Sequence, residues 1–303
     1  MRAAIIDLGT NTFHLIIAEL TTSQEPVIIY KTNVPVKLGQ GRINENLIIP
    51  EAFDRGIATL KDFKKQIERH NVTKVRAIAT SAIRSALNGA EFVETAKSQA
   101  DIEIEVITGD IEAEYIYHGV NATGAITAST LIMDIGGGST EFIICNPHMP
   151  VWKKSFNVGA SRLMQAYFNS DPINEADKIK IQSHLDEVLD ELKVACSIYR
   201  PSHLIGSAGA FETFAGLISE DLDLNTIKWA PIPIASYQQL SKKLIASTHV
   251  ERDQMPGLIK LRVDMIVMAA ILTDYVISSC AIKEISLSTY DLKMGVLSTL
   301  EVG

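Results

Sequence analysis

Apolar positions follow two alternating periods along this chain, and one pattern occurs twice. Apolar residues flank Asp7-Leu8-Gly9-Thr10-Asn11-Thr12, and they flank Asp134-Ile135-Gly136-Gly137-Gly138-Ser139-Thr140-Glu141 in the same way. Setting Asp7 on Asp134 aligns Gly9 with Gly136, the hydroxyl of Thr12 with that of Ser139, and Leu15–Ile17 with Phe142–Ile144, an offset of 127 residues. Each copy reads as a buried β-hairpin around a glycine-bearing turn. A duplicated hairpin predicts two similar halves facing each other.

Between the copies, spacing predicts helices over 51–69 and 86–99, strands at 74–80 and 103–107, and a helix from about Ile111 to Gly119. The first half is therefore three strands followed by α/β units. After the second hairpin come a strand near 150–157, a helix opening at Gly159, and one long helix from about Asn174 to Tyr199 with a charged face. A strand at 203–205, a turn at Gly206–Gly209 into a helix, a long apolar helix from about Leu258, a strand at 284–287 and a final helix from Asp291 complete the pattern. The halves meet near Gly124 without a linker, which gives an α/β protein of residues 1–124 and 125–290.

Composition narrows the function. The chain has 303 residues and a net charge of -8, which argues against binding nucleic acid through a broad basic surface. A polyanionic substrate would need a local basic cleft or a metal. Cys145, Cys196 and Cys280 lie in apolar contexts with no CxxC pair, so they read as buried thiols of a cytoplasmic protein. Asp7 interrupts the N-terminal apolar run too early for a signal peptide. The run Met265–Ile282 contains Asp274 and reads as a buried helix and not as a membrane span.

The candidate chemistry sits at the duplicated turns. Gly136, Gly137, Gly138, Ser139 and Thr140 offer successive amides to a phosphate, as do Gly9, Thr10, Asn11 and Thr12; an ordinary hairpin turn is the alternative. Asp7, Asp134 and Glu141 beside such loops would repel the substrate unless Mg2+ or another divalent cation intervenes, although an aspartate there can also simply cap the turn. His14, aligned with Glu141, reads as a packing or hydrogen-bonding residue. Arg84 follows a strand end, where its planar fork suits phosphate or solvent alike. Glu112 lies in a first helical turn, where the helix dipole alone favours an acid. Gly209 closes a small-residue turn suited to an anion at a helix N-terminus.

These segments, with Ala79-Thr80-Ser81-Ala82-Ile83-Arg84, the stretch ITGDIEAEYIYHG ending at Gly119, Gly159-Ala160-Ser161-Arg162-Leu163 and Asp291-Leu292-Lys293-Met294-Gly295-Val296-Leu297, resemble the exopolyphosphatase/guanosine pentaphosphate phosphatase family. That family belongs to the actin-like, sugar-kinase and heat-shock ATPase superfold, and the resemblance covers nearly the whole chain. It implies two actin-like domains around a cleft, with residues 291–303 returned to the first. It implies magnesium-dependent hydrolysis of a terminal phosphoanhydride of inorganic polyphosphate or of the guanosine alarmone pppGpp, by a homodimer. Glu112 matches the family's proposed catalytic glutamate, Arg84 its phosphate-binding arginine, and Asp134 and Glu141 its metal and water-positioning acids. The family usually has two adjacent glutamates where this chain has Ile111-Glu112. The helical C-terminal domains of longer members have no counterpart here, so short chains or nucleotide-like substrates are expected. A phosphotransferase of the same superfold and a non-catalytic (p)ppGpp sensor are the competing readings.

Overall fold

The computed structural model describes residues 1–21 and 24–300. The first sheet contains β1 (Arg2–Leu8), β2 (Phe13–Thr21), β3 (Gln24–Val34), β4 (Lys74–Ala79) and β5 (Ile104–Val106), in the order β3-β2-β1-β4-β5. The second contains β6 (Thr130–Ile135), β7 (Thr140–Cys145), β8 (Pro150–Phe156), β9 (His203–Ser207), β10 (Trp229–Ile232) and β11 (Glu284–Ser288), in the order β10-β11-β9-β6-β7-β8. The duplication is plain in the pairing. In each sheet three consecutive strands form an antiparallel meander, and a later strand, β4 or β9, lies parallel to the first.

Four helices belong to the first half, α1 (Pro50–Arg69), α2 (Ser81–Ser85), α3 (Gly89–Ala100) and α4 (Gly109–Asn121). Pro50 opens α1 at a position where a missing amide costs nothing. The second half carries α5 (Ala160–Tyr167), α6 (Glu175–Val188), α7 (Asp190–Tyr199), α8 (Ala208–Ile218), α9 (Ile234–Ala246), α10 (His249–Asp253) and α11 (Ile266–Ser279), and the chain then ends its described course in α12 (Leu292–Ser298), which packs on α4 and β1 of the first half.

Both faces of each sheet are covered, as nearly continuous apolar strands such as β6 require. One core lies between the first sheet and α1 and α3, and another between the second sheet and α5 to α9 with α11. A third fills the space between the sheets. There α4 and α12 contribute Ile116, Val120 and Val296 to a layer shared with Ile5 and Ile78 of the first sheet and Ile132 and Ile205 of the second. The two helices cross at glycines. A Cβ on Gly295 would lie 1.7 Å from the Tyr115 carbonyl oxygen, and one on Gly119 would lie 2.3 Å from that of Asp291.

Some expectations change. The helix expected over 86–99 is α3, which starts only at Gly89, with the unforeseen short helix α2 before it, and the long helix expected to Tyr199 divides at Leu189. Leu189 ends α6 and begins α7 with φ -97 and ψ 19 and is fully buried, so the bend keeps both helices on the core. Pro256-Gly257, with Gly257 at φ +83, holds the chain in turns until α11 starts at Ile266 and not near Leu258. β10, α9 and α10 lack a pattern strong enough to be foreseen. All three cysteines are buried. Among the described residues no helix is long and apolar enough to cross a membrane. Of the final helix expected over 291–303, residues 301–303 lie outside the described residues.

Candidate active site

The two duplicated turns meet across a cleft of about 910 Å³ between the halves. They have the same geometry, since the Gly9 amide donates to the Thr12 carbonyl at 3.2 Å and the Gly136 amide to the Ser139 carbonyl at 3.0 Å. Their carbonyls are tied down on the outer side. Ala160 and Ser161 at the start of α5 donate to Gly136 and Gly137, the Arg162 guanidinium to Gly138, and Gly39 and Lys37 to Thr10 and Asn11. Peptide planes fixed this way turn their amides to the opposite side. Among the described residues no group accepts from the amides of 10–12 or 137–139.

Gly137 has a reason to lack a side chain beyond access for an anion. A Cβ there would lie 2.3 Å from Asn11 Nδ2 and 2.9 Å from Thr10 Cβ, so the loops approach too closely for any larger residue. Thr140 departs from the expected cradle. Its hydroxyl donates to the Val158 carbonyl inside the second half, and it is absent from the cleft lining.

Strand register lines up the acids. At one level of the second sheet lie Ser155 on β8, Glu141 on β7, Asp134 on β6 and Ser207 on β9, each paired with the next. The Ser155 hydroxyl donates to Glu141 Oε1 at 2.6 Å and the Ser207 hydroxyl to Asp134 Oδ2 at 2.9 Å. The equivalent row of the first sheet is Asn33, His14, Asp7 and Ile78. One half of the duplicated site is thus acidic, while the other pairs its single acid with an imidazole.

Glu112 reaches the cleft from α4, held by the Thr108 cap. It is 6% exposed, and its Oε2 accepts from Arg84 Nη1 at 2.7 Å. Arg84 also donates to the Ile107 carbonyl at 3.1 Å and stands behind Glu112 instead of lining the cleft. Burial raises the Glu112 carboxyl above its ordinary value, with Arg84 acting against it. Burial also lifts Asp7 and Asp134 to about 7, and with the neighbouring Glu112 and Asp134 charges it lifts Glu141 well above its usual range. His14 is driven well below its ordinary value by burial, then by Lys293 and Arg262, and stands neutral.

Three features at the cleft had no signal strong enough to single them out in sequence. Lys293 of α12 pairs with Asp291 and lies 3.9 Å from Asp7. Burial alone would pull its ammonium down, but Asp291 and Asp7 hold it above its ordinary value. Arg262, in the turn before α11, lies against Gly209, where a Cβ would meet its Nη2 at 1.5 Å. Ser81, the first residue of α2, lines the cleft beside Gly138. The lining includes six carboxylates, Asp7, Glu112, Asp134, Glu141, Glu212 and Asp291, against the cations Lys31, Arg262 and Lys293.

Among the described residues no three His, Cys, Asp or Glu side chains converge to cage a metal ion. The donor set is instead a pair of neighbouring buried carboxylates, Asp134 and Glu141, with Asp7 near the end of β1 in the facing half. That set fits Mg2+, which takes one or two carboxylates and fills its remaining positions with water and substrate phosphate.

Comparison with known proteins agrees with this geometry. The family model for the Ppx/GppA phosphatase family matches residues 16–302. An exopolyphosphatase crystal structure from Cytophaga hutchinsonii is 38% identical with a TM-score of 0.95, covering 99% of this chain and 97% of that one. The Ppx-GppA enzyme of Aquifex aeolicus is 25% identical with a TM-score of 0.81, covering 99% of both chains. A Haemophilus influenzae protein provisionally described as an exopolyphosphatase is 28% identical over 98% of this chain and 91% of its own length. The two facing α/β halves have the actin-like ATPase architecture.

Proposed function

The chain belongs to the Ppx/GppA phosphatase family, and from that premise we propose that it releases terminal orthophosphate from inorganic polyphosphate, with short chains preferred. One observation carries the reading. A buried carboxylate, Glu112, is held at 2.7 Å by Arg84 and faces the same cleft as two loops whose amides have no acceptor among the described residues.

Phosphoryl transfer asks a protein mainly to position the reacting groups and to offset charge. The amides of 10–12 and 137–139 hold the phosphates nearest the scissile bond. Glu112 takes a proton from the attacking water, whose oxygen bonds to the terminal phosphorus as the bridging P–O bond breaks. Orthophosphate and a chain one phosphate shorter leave. Burial brings Glu112 closer to neutral pH, where a general base works best. Arg84 fixes which Glu112 oxygen faces the water. Asp134 and Glu141, oriented by Ser207 and Ser155, would hold a divalent cation with Asp7 in support. That ion supplies the positive charge that offsets phosphate and carboxylate together.

Contacts at the rims tie the two halves together. On one side the Arg162 guanidinium reaches the Ile43 carbonyl at 2.7 Å and Gln165 reaches that of Gly39 at 2.8 Å. On the other, Lys31 meets Asn225 and Lys228 meets Glu25. Short chains fit a cleft whose lining has twice as many acids as cations, because a long polyanion finds no basic track within it.

The test is phosphate release by the purified protein with magnesium, comparing tripolyphosphate, long-chain polyphosphate, pppGpp and ATP. Turnover highest on tripolyphosphate is expected. Release from pppGpp alone would move the substrate to the alarmone, and binding without release from any of the four would overturn hydrolysis.

A further inference from the structure

Ser81 is 2% exposed, lines the cleft, and its hydroxyl has no hydrogen-bond partner among the described residues. A buried hydroxyl without a partner costs roughly 1–3 kcal/mol, so native chains rarely keep one without a use. This hydroxyl sits where the two duplicated turns meet. A Cβ on Gly138 would lie 2.5 Å from Ser81 Oγ and 2.9 Å from Thr10 Oγ1, so both hydroxyls converge on the same glycine. Among the described residues the neighbouring amides of Gly137, Gly138 and Ser139 are donors without acceptors. A hydroxyl among amide donors is completed by an acceptor, and an oxyanion oxygen satisfies all of them at once.

On the footing that this cleft is the phosphate site proposed above, we infer that the Ser81 hydroxyl donates to an oxygen of the phosphate held between the two duplicated turns. The placement has a second consequence. Ser81 and Arg84 stand three residues apart in the five-residue helix α2, and Arg84 Nη1 holds Glu112 at 2.7 Å. A phosphate drawn onto Ser81 therefore settles the same short helix that orients the carboxylate facing the water. Ser81 binds substrate directly, and its contact supports the Arg84–Glu112 pair through the backbone between them.

The experiment compares the parent with Ser81→Ala in three measurements. These are thermal melting without ligand, calorimetric affinity for tripolyphosphate whose bridging oxygens are replaced by methylene groups, and turnover of tripolyphosphate. Removing an unsatisfied hydroxyl leaves ligand-free melting unchanged or raises it, whereas a purely structural serine would lower it. Affinity for the uncleavable analogue falls about ten- to a hundred-fold, as for loss of one hydrogen bond to a charged acceptor. Unchanged affinity, or a drop in melting temperature as the main effect, overturns the assignment. The analogue keeps the two readings apart. Parent protein that binds it through Ser81 and yet releases no phosphate supports the Ser81 contact while refuting hydrolysis. Parent protein that cleaves tripolyphosphate while Ser81→Ala binds and cleaves equally well refutes the contact alone.

Discussion

Replacing Asp134 by asparagine should stabilise the ligand-free protein at pH 8 while destroying its activity. Asp134 is 8% exposed, and burial with the nearby Asp291 charge lifts its carboxyl from 3.8 to about 7, although Ser207 donates to it. A group whose folded-state pKa lies above its unfolded value contributes stability that is present below pH 3.8 and lost as pH rises through 7. At about 1.4 kcal/mol per unit the ceiling on that loss is about 4 kcal/mol. Water entering the cleft lowers it, and a gain on the order of 1–2 kcal/mol, or a few degrees of melting temperature, is expected for the variant at pH 8. Asparagine keeps the shape and the acceptor for Ser207, so the gain should shrink to nothing by pH 4. The assay is calorimetric melting with a chelator at pH 4, 6 and 8, beside phosphate release with magnesium at pH 8. A variant less stable than its parent at pH 8, or an advantage that does not change with pH, refutes the burial argument. Activity within a few-fold of the parent refutes the role given to Asp134.

Two further outcomes follow from named contacts. Glu112→Gln keeps an acceptor for Arg84 but removes the base, so kcat on tripolyphosphate should fall about 10²–10⁴-fold with little change in KM; a loss of less than about fivefold would remove Glu112 from the chemistry. Gly295→Ala sets a methyl 1.7 Å from the Tyr115 carbonyl oxygen, which forces α4 and α12 apart. A loss of at least about 1–3 kcal/mol is expected, read as a lower melting temperature, and a melting temperature within about 1 °C of the parent would show that the crossing yields cheaply.

Much of the architecture was legible because the duplication is written in residues that cannot be moved. The acid, glycine and hydroxyl of each hairpin sit at fixed offsets, and strands buried on both faces leave unbroken apolar runs. Glu112 and Arg84 could be named singly, but their pairing across 28 residues depends on where α2 and α4 converge. Ser155 and Ser207 stayed hidden because their partners are set by strand register, which local pattern does not encode. Thr140 looked like part of the cradle since it follows Ser139, yet strand alternation turns its hydroxyl away from the cleft. Lys293 and Arg262 lie far along the chain from the turns they serve, one on a seven-residue helix and one in a turn.

The glycine crossing of α4 and α12 also sets an order of events during synthesis. α12 leaves the ribosome about 170 residues after α4, roughly 10 to 30 s later at ordinary rates of translation. Through that interval the helix carrying Glu112 lacks its partner, and Ile116 and Val120 have only part of the layer that later buries them. The nascent first half must wait with apolar surface uncovered, so this is the stage at which a chaperone would bind it and at which a stalled chain would aggregate.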